Sequence, residues 1–188
     1  MNLPEPKKFN AQKYEAGLSR FKKKLSSIKL SANESALGPS PKAIKGYNSI
    51  SKILKKYPDP RSSSLIKILS KKFSLDSKRI IIGSGSDQIF ELICRAFLKK
   101  GDEVILPQHS FIIYRIYSRM FGAKVKYAKE ENFKPSVQSI LDQVSRKTKI
   151  VFLANPNNPT GTYLDKFQIL KLRKRLRSDI LLVIDDAY

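Results

Sequence analysis

Short apolar runs alternate with helical stripes along most of this chain. Lys149–Gly161 reads KIVFLANPNNPTG and Ile180–Tyr188 reads ILLVIDDAY, each an apolar run that stops abruptly in polar residues. Runs too short for a helix and rich in Val and Ile predict buried parallel strands. Similar runs predict strands at Ile80–Ile82, Glu103–Leu106 and Lys124–Ala128. Between them the spacing turns helical. It predicts helices over Pro41–Lys56 and Arg61–Phe73, and one with Ile89, Leu92, Ile93, Ala96 and Phe97 on a single face, ending at Gly101. Further helices follow from Phe111 to Phe121, over Val137–Val144, and over Lys166–Arg177 with Phe167, Leu170 and Leu176 expected to face the sheet. Strand and helix in alternation predict an α/β/α sandwich with a largely parallel sheet. Because such sheets bind ligands beyond the carboxyl ends of their strands, Asn155–Gly161 and Asp185–Tyr188 are expected side by side over one cleft.

The connections carry the candidate chemistry. Gly83-Ser84-Gly85-Ser86-Asp87 lies between a strand-like run and a helix. Glycines there let the backbone approach closely, Ser86 can cap, and free amides at the helix start favour an anion. Tyr57-Pro58-Asp59-Pro60 ends one helix in a turn, since proline has no backbone donor. Residues 1–29 are polar and Lys-rich with scattered aromatics, and read as an arm. KLSANESALGPSP over Lys29–Pro41 reads as a strand fragment, a loop and a helix start.

Asn158-Pro159-Thr160-Gly161 after one strand, then Asp185-Asp186-Ala187-Tyr188 after the next, resembles the fold-type I pyridoxal-phosphate aminotransferases. The wider spelling, from about Tyr14 to Tyr188, is most similar to the histidinol-phosphate aminotransferases. That resemblance implies an arm and lead-in segment over 1–40 and an incomplete cofactor-binding large domain over 41–188. It implies pyridoxal 5′-phosphate, with Ser86, Asp87 and Gln88 at its phosphate, Phe111 stacked on its ring, Asn158 and Tyr188 at its phenolic oxygen and Asp185 at its ring nitrogen. It further implies a homodimer in which Tyr57 reaches the cofactor phosphate of the other subunit, and an Asn33 lying near the substrate. Each of the outlying residues has a plainer reading: Asn33 satisfying its own loop, Tyr57 packing under its turn, Phe111 serving as core at a helix start.

The reaction implied is amino-group transfer between L-histidinol phosphate and 2-oxoglutarate. A related aromatic aminotransferase, or a lyase of the threonine-phosphate decarboxylase group, carries the same motifs. In this family the Schiff-base lysine lies one strand and loop beyond the DxAY motif, so no catalytic lysine is expected here. The chain is expected to be the front part of a longer design and inactive alone.

Composition changes this picture little. There are 37 Lys and Arg against 16 Asp and Glu, a net charge of +21, which raises the question of an anionic partner. The basic residues fall in pairs and triplets over the whole length, from Lys22–Lys24 to Arg173–Arg175. That distribution reads as a solvated basic surface rather than one nucleic-acid stripe, with Lys166–Arg177 the best candidate for such a stripe. A non-catalytic basic binding protein is the contrasting class. The single cysteine, Cys94, lies among apolar residues and reads as core. One His and one Cys exclude a zinc cluster of the usual composition. His109 reads as a loop or capping residue. No apolar run approaches the roughly 20 residues that span a bilayer, and a cytoplasmic location is the default expectation.

Overall fold

The computed structural model describes residues 32–188, which form two compact units, 32–82 and Gly83–Tyr188. The arm predicted over 1–29 and the strand fragment starting at Lys29 lie outside the described residues.

In the first unit the loop 32–40 leads into α1 (Pro41–Ile50), whose start follows the predicted chemistry. Ser40 Oγ accepts from Ala43 N at 3.2 Å, and Pro41 sits in the first turn, where a missing N–H leaves nothing unpaired. The helix is shorter than expected, because a 3₁₀ turn over Ser51–Ile53 replaces its last part. After the Pro-bounded turn, Asp59 accepts from Arg61 N at 2.9 Å and Ser63 N at 2.7 Å and opens α2 (Ser63–Phe73). The predicted strand Ile80–Ile82 is not one. Ile80 has extended dihedrals after a 3₁₀ turn, but no strand among the described residues pairs with it.

The second unit begins with α3 (Gly85–Phe97) and continues through β1 (Glu103–Pro107), α4 (Ile112–Met120) and β2 (Lys124–Ala128). A small hairpin, β3 (Glu130–Glu131) and β4 (Lys134–Pro135), precedes α5 (Val137–Asp142), β5 (Thr148–Ala154), α6 (Lys166–Arg175) and β6 (Leu181–Asp185). The four long strands are all parallel, in the order β2-β1-β5-β6.

Alternate residues of the two central strands enter two separate cores, as the pleat requires. Val104, Leu106, Ile150, Phe152 and Ala154 pack with Phe90, Cys94, Ile113 and Tyr114 from α3 and α4. Ile105, Val151 and Leu153 pack with Ile140, Leu172, Leu176 and Ile180 on the opposite face. Burial on both faces is why β1 and β5 are nearly unbroken apolar runs, and the α/β/α sandwich is the architecture of this unit. Cys94 is fully buried, and burial pushes its thiol up to about 11, although a hydrogen bond with Ser118 pulls the other way.

The face of α6 differs from expectation. Leu172 and Leu176 are buried and Ile169 packs with them, whereas Phe167 and Leu170 are exposed. Arg173 lies on the inner side and donates to the carbonyls of Ile180, Leu176 and Arg177 at 2.7–3.0 Å. It thereby pairs carbonyls at and beyond the helix end. No helix among the described residues is long and apolar enough to cross a membrane.

Candidate functional site

Chain direction over the sheet fixes where a cleft opens. From β1 the chain passes through α4 to β2 on one side, and from β5 through α6 to β6 on the other. Connections that leave neighbouring strands in opposite directions part at their carboxyl ends. The loops 108–111 and 155–162 flank that point.

The loop after β5 is fixed by its own asparagines. Asn155 Oδ1 accepts from Leu164 N at 2.7 Å and its Nδ2 donates to Leu164 O at 3.0 Å. Asn157 N donates to Thr162 O, and Gly161 N to Asn157 O, both at 2.7 Å. This folding presents Asn158, whose Nδ2 donates to Tyr188 Oη at 3.0 Å. The two strand-end motifs therefore do meet, as the parallel β5–β6 register predicts.

Asp185 is the last residue of β6 and is half-buried. Tyr114 Oη donates to its Oδ2 at 2.5 Å. Tyr114 is fully buried, and burial first, then its bond to the Asp185 carboxylate, pushes its phenol far above the usual range. A tyrosine so held stays a donor, and fixes the carboxylate from behind. Phe111 is half-buried at the N-cap of α4 and meets Tyr114 edge-to-face, with ring centroids 5.8 Å apart. It also lines a cavity of about 250 Å³ with His109, Arg115, Tyr127 and Pro159.

The turn into α3 lacks the predicted cap. Ser84 occupies the N-cap and no side chain caps there in the usual way; Ser86 already lies inside the helix. Gln88 instead folds back, and its Oε1 accepts from Ser84 N at 2.7 Å. Backbone conformation demands glycine after Ser84, whereas before it an added side chain would press only on the end of Ile89. A Cβ on Gly83 would lie 2.9 Å from Ile89 Cδ1, and Gly85 has φ +78°. Ser86, Asp87 and Gln88 are exposed in the first turn.

Partial burial, then the charge of Asp185, holds the Asp87 carboxyl above its ordinary value. A carboxyl whose pKa is raised by folding destabilises the folded state once pH climbs through its ordinary 3.8 and its raised folded value, and costs nothing below both. Asp87→Asn in the cofactor-free full-length protein is therefore expected to raise the thermal midpoint at pH 7, with the gain shrinking as pH falls toward 3.8. An equal gain at both ends of a pH series would remove the charge explanation.

Among the expected residues, Asn158 with Tyr188, Asp185 with Asp87, and Phe111 through Tyr114 belong to one connected group in the second unit. Tyr57 and Asn33 lie in the first unit, Tyr57 fully exposed in its turn and Asn33 exposed in a loop. Tyr114 escaped the sequence reading, as did the bonds by which Asn155 and Asn157, in the stretch expected over the cleft, hold its loop. Tyr114 had a signal, being three residues after Phe111 and so on the same helix face. His109 lies in the loop before α4, as expected, and has a partner there: its Nδ1 lies 2.7 Å from Glu130 Oε2. Among the described residues no group of His, Cys, Asp and Glu can hold a metal ion.

The family described as aminotransferase class I and II matches residues 26–188. The histidinol-phosphate aminotransferase of Pelagibacter ubique is 53% identical over 188 residues, all of this chain and 52% of that protein. That of Paramagnetospirillum magneticum is 43% identical over 98% of this chain and 51% of its own length. The chain thus spans about half the length of the curated relatives it matches. Among solved structures, histidinol-phosphate aminotransferase from Sinorhizobium meliloti in complex with pyridoxal-5′-phosphate superposes with a TM-score of 0.78 at 25% identity, covering 81% of this chain and 42% of that one.

Proposed function

Since the chain belongs to the class I and II aminotransferases, we propose that its second unit is the cofactor-holding part of a pyridoxal-phosphate enzyme that moves an amino group between L-histidinol phosphate and 2-oxoglutarate. The observation that carries this reading is the Asp185 carboxylate, held by Tyr114 at the end of β6, with the Asn158–Tyr188 pair bridging the loops after β5 and β6. The donor set fits the group. Pyridoxal phosphate needs an anion cradle, a flat apolar face, a carboxylate for its ring nitrogen and donors for its phenolic oxygen, and this unit has candidates for all four.

When bound, the cofactor supplies a conjugated ring that takes up the electrons left at the substrate carbon. The protein's own residues do the rest. Backbone amides at the start of α3, those of Ser86 and Asp87 among them, bind the phosphate end. Phe111 covers one ring face and keeps water from it. Asp185 holds a proton on the ring nitrogen through a charge-assisted hydrogen bond, typically worth about 1.5–3 kcal/mol. Asn158 and Tyr188 orient the phenolic oxygen by hydrogen bonding. Asn33 is proposed to lie near the substrate, and Tyr57 to complete the phosphate site of a second copy in a homodimer. Tyr57→Phe is accordingly expected to weaken cofactor retention in the full-length protein while leaving its circular dichroism unchanged. Unaltered retention would take Tyr57 out of the site.

The deciding experiment uses the full-length protein. Cofactor absorbance is recorded with one equivalent of pyridoxal phosphate, and glutamate formation is assayed with L-histidinol phosphate, aromatic amino acids and threonine phosphate as separate amino compounds. Glutamate formed fastest from L-histidinol phosphate is the expected result. Faster transfer from an aromatic amino acid, or carbon dioxide from threonine phosphate without glutamate, would replace the assignment by one of its relatives.

A further inference from the structure

The hairpin β3–β4 is short and exposed at its tip, yet it is tied to both loops of the cleft. Its turn residues Asn132 and Phe133 have φ +50° and +62°. A left-handed aromatic residue is strained, and such strain persists only where the surroundings over-determine it. Three contacts do so here. The Phe133 ring meets His109 at 5.2 Å, its carbonyl accepts from Thr162 Oγ1 at 2.9 Å, and the Glu130 side chain at the hairpin's base is only 3% exposed. Both oxygens of Glu130 are used on one residue: Oε1 accepts from His109 N at 2.9 Å and Oε2 from His109 Nδ1 at 2.7 Å.

The direction of every further bond can be assigned. Thr162 Oγ1 spends its only hydrogen on Phe133 O, so in the 2.8 Å contact between the two threonines Thr160 Oγ1 is the donor. Thr160 Oγ1 must then accept from Asn157 Nδ2, at 2.8 Å. The second Nδ2 hydrogen goes to His109 O, also at 2.8 Å. Asn157 cannot turn its amide over without facing its carbonyl to His109 O and losing the hydrogen it donates to Thr160 Oγ1. Two chains result, both donating outward from Asn157 to the hairpin: one through Thr160 and Thr162 to Phe133 O, the other through His109 to Glu130. Bonds in such chains reinforce one another.

We propose that the hairpin is a strap across the mouth of the cleft and that His109 is a positioning residue. Clamped by Glu130, it aims its own carbonyl at Asn157, and so sets the spacing between the loop that carries Phe111 and the loop that carries Asn158. The functional meaning rests on the reading of the site as a pyridoxal-phosphate site; the mechanical claim does not.

The test therefore has two readouts on the full-length protein. Without cofactor, Glu130→Ala is expected to speed amide hydrogen exchange in 108–111 and 156–162 while β1 and β5 stay protected. With pyridoxal phosphate added, the dissociation constant should rise on the order of 10-fold, the equivalent of one lost hydrogen bond to a charged group. His109→Ala should do the same, and His109→Asn, which places a donor where Nδ1 was, should restore most of both. If Glu130→Ala loosens β1 and β5 as well, the comparison of His109→Ala with His109→Asn decides. Unchanged exchange in the two loops, or equal effects of alanine and asparagine at 109, would overturn the strap. Failure of the wild-type protein to bind pyridoxal phosphate would instead strike the functional reading, leaving the exchange result to judge the strap alone.

Discussion

Asp185→Asn in the full-length protein is expected to lower amino-group transfer about 100-fold or more while leaving the fold and phosphate binding in place. A charge-assisted hydrogen bond is worth about 1.5–3 kcal/mol, which corresponds to roughly 10–100-fold in rate if it acts only in the transition state. The effect is set at the upper end because the bound cofactor would supply its electron-accepting chemistry through a protonated ring nitrogen, and Asp185 would hold that proton. The fold should tolerate the change, since an asparagine oxygen can still accept from Tyr114 Oη in the contact that Asp185 Oδ2 now makes. Removing this charge also relieves Asp87, whose carboxyl Asp185 helps to hold above its ordinary value. Relief of Asp87 and the weaker bond from Tyr114 oppose each other, so the cofactor-free variant should keep a thermal midpoint near that of wild type at pH 7. Turnover and thermal unfolding separate the two effects. Near-normal turnover would end the proposed role of Asp185, and a collapsed midpoint would mean that the carboxylate is chiefly structural. Tyr114→Phe is the companion variant, keeping the charge but removing the bond that aims it.

The central strands were legible because β1 and β5 are buried on both faces and so spell themselves in apolar letters. The cleft was legible for a related reason: a buried parallel strand must end where the chain meets water, and Asn155 and Asp185 mark those ends. What failed depended on partners distant in sequence. Ile80–Ile82 has the letters of a strand and extended backbone at Ile80, but pairing is a property of two segments, and none among the described residues supplies the second. In α6 the inward stripe runs Ile169, Leu172, Leu176 with the aliphatic stem of Arg173 beside it; an arginine on the inner side reads as solvent-facing until its carbonyl partners are known. His109 and Glu130 are 21 residues apart and meet only because a hairpin without glycine turns at Asn132-Phe133. No short-range rule marks that turn, since two-residue hairpin loops are ordinarily signalled by Asn-Gly or Asp-Gly.

Phe152→Ala is expected to cost about 3–5 kcal/mol of stability, the usual range for a large aromatic lost from a core. Phe152 is wholly buried in the middle of β5, stacked on Tyr114 with centroids 4.9 Å apart and planes within 2°, and met edge-on by Phe90 at 5.9 Å. Aromatic contacts of this kind add about 0.5–1.5 kcal/mol beyond area burial, and the space left lies between a central strand and two helices that cannot both close on it. Against a typical net stability of about 5–15 kcal/mol the loss is large enough to read directly from the urea midpoint of the cofactor-free full-length protein. The consequence reaches the site as well. Tyr114 is kept in place by Phe152 on its face and by Asp185 at its hydroxyl, so without Phe152 the ring gains freedom and the carboxylate loses its anchor. Phe152→Leu, which keeps most of the volume but not the flat face, distinguishes filling from stacking: it should recover most of the stability and less of the cofactor affinity. Equal recovery of both would mean that volume alone holds Tyr114, and a loss below about 1 kcal/mol for alanine would place the residue in a core that repacks freely.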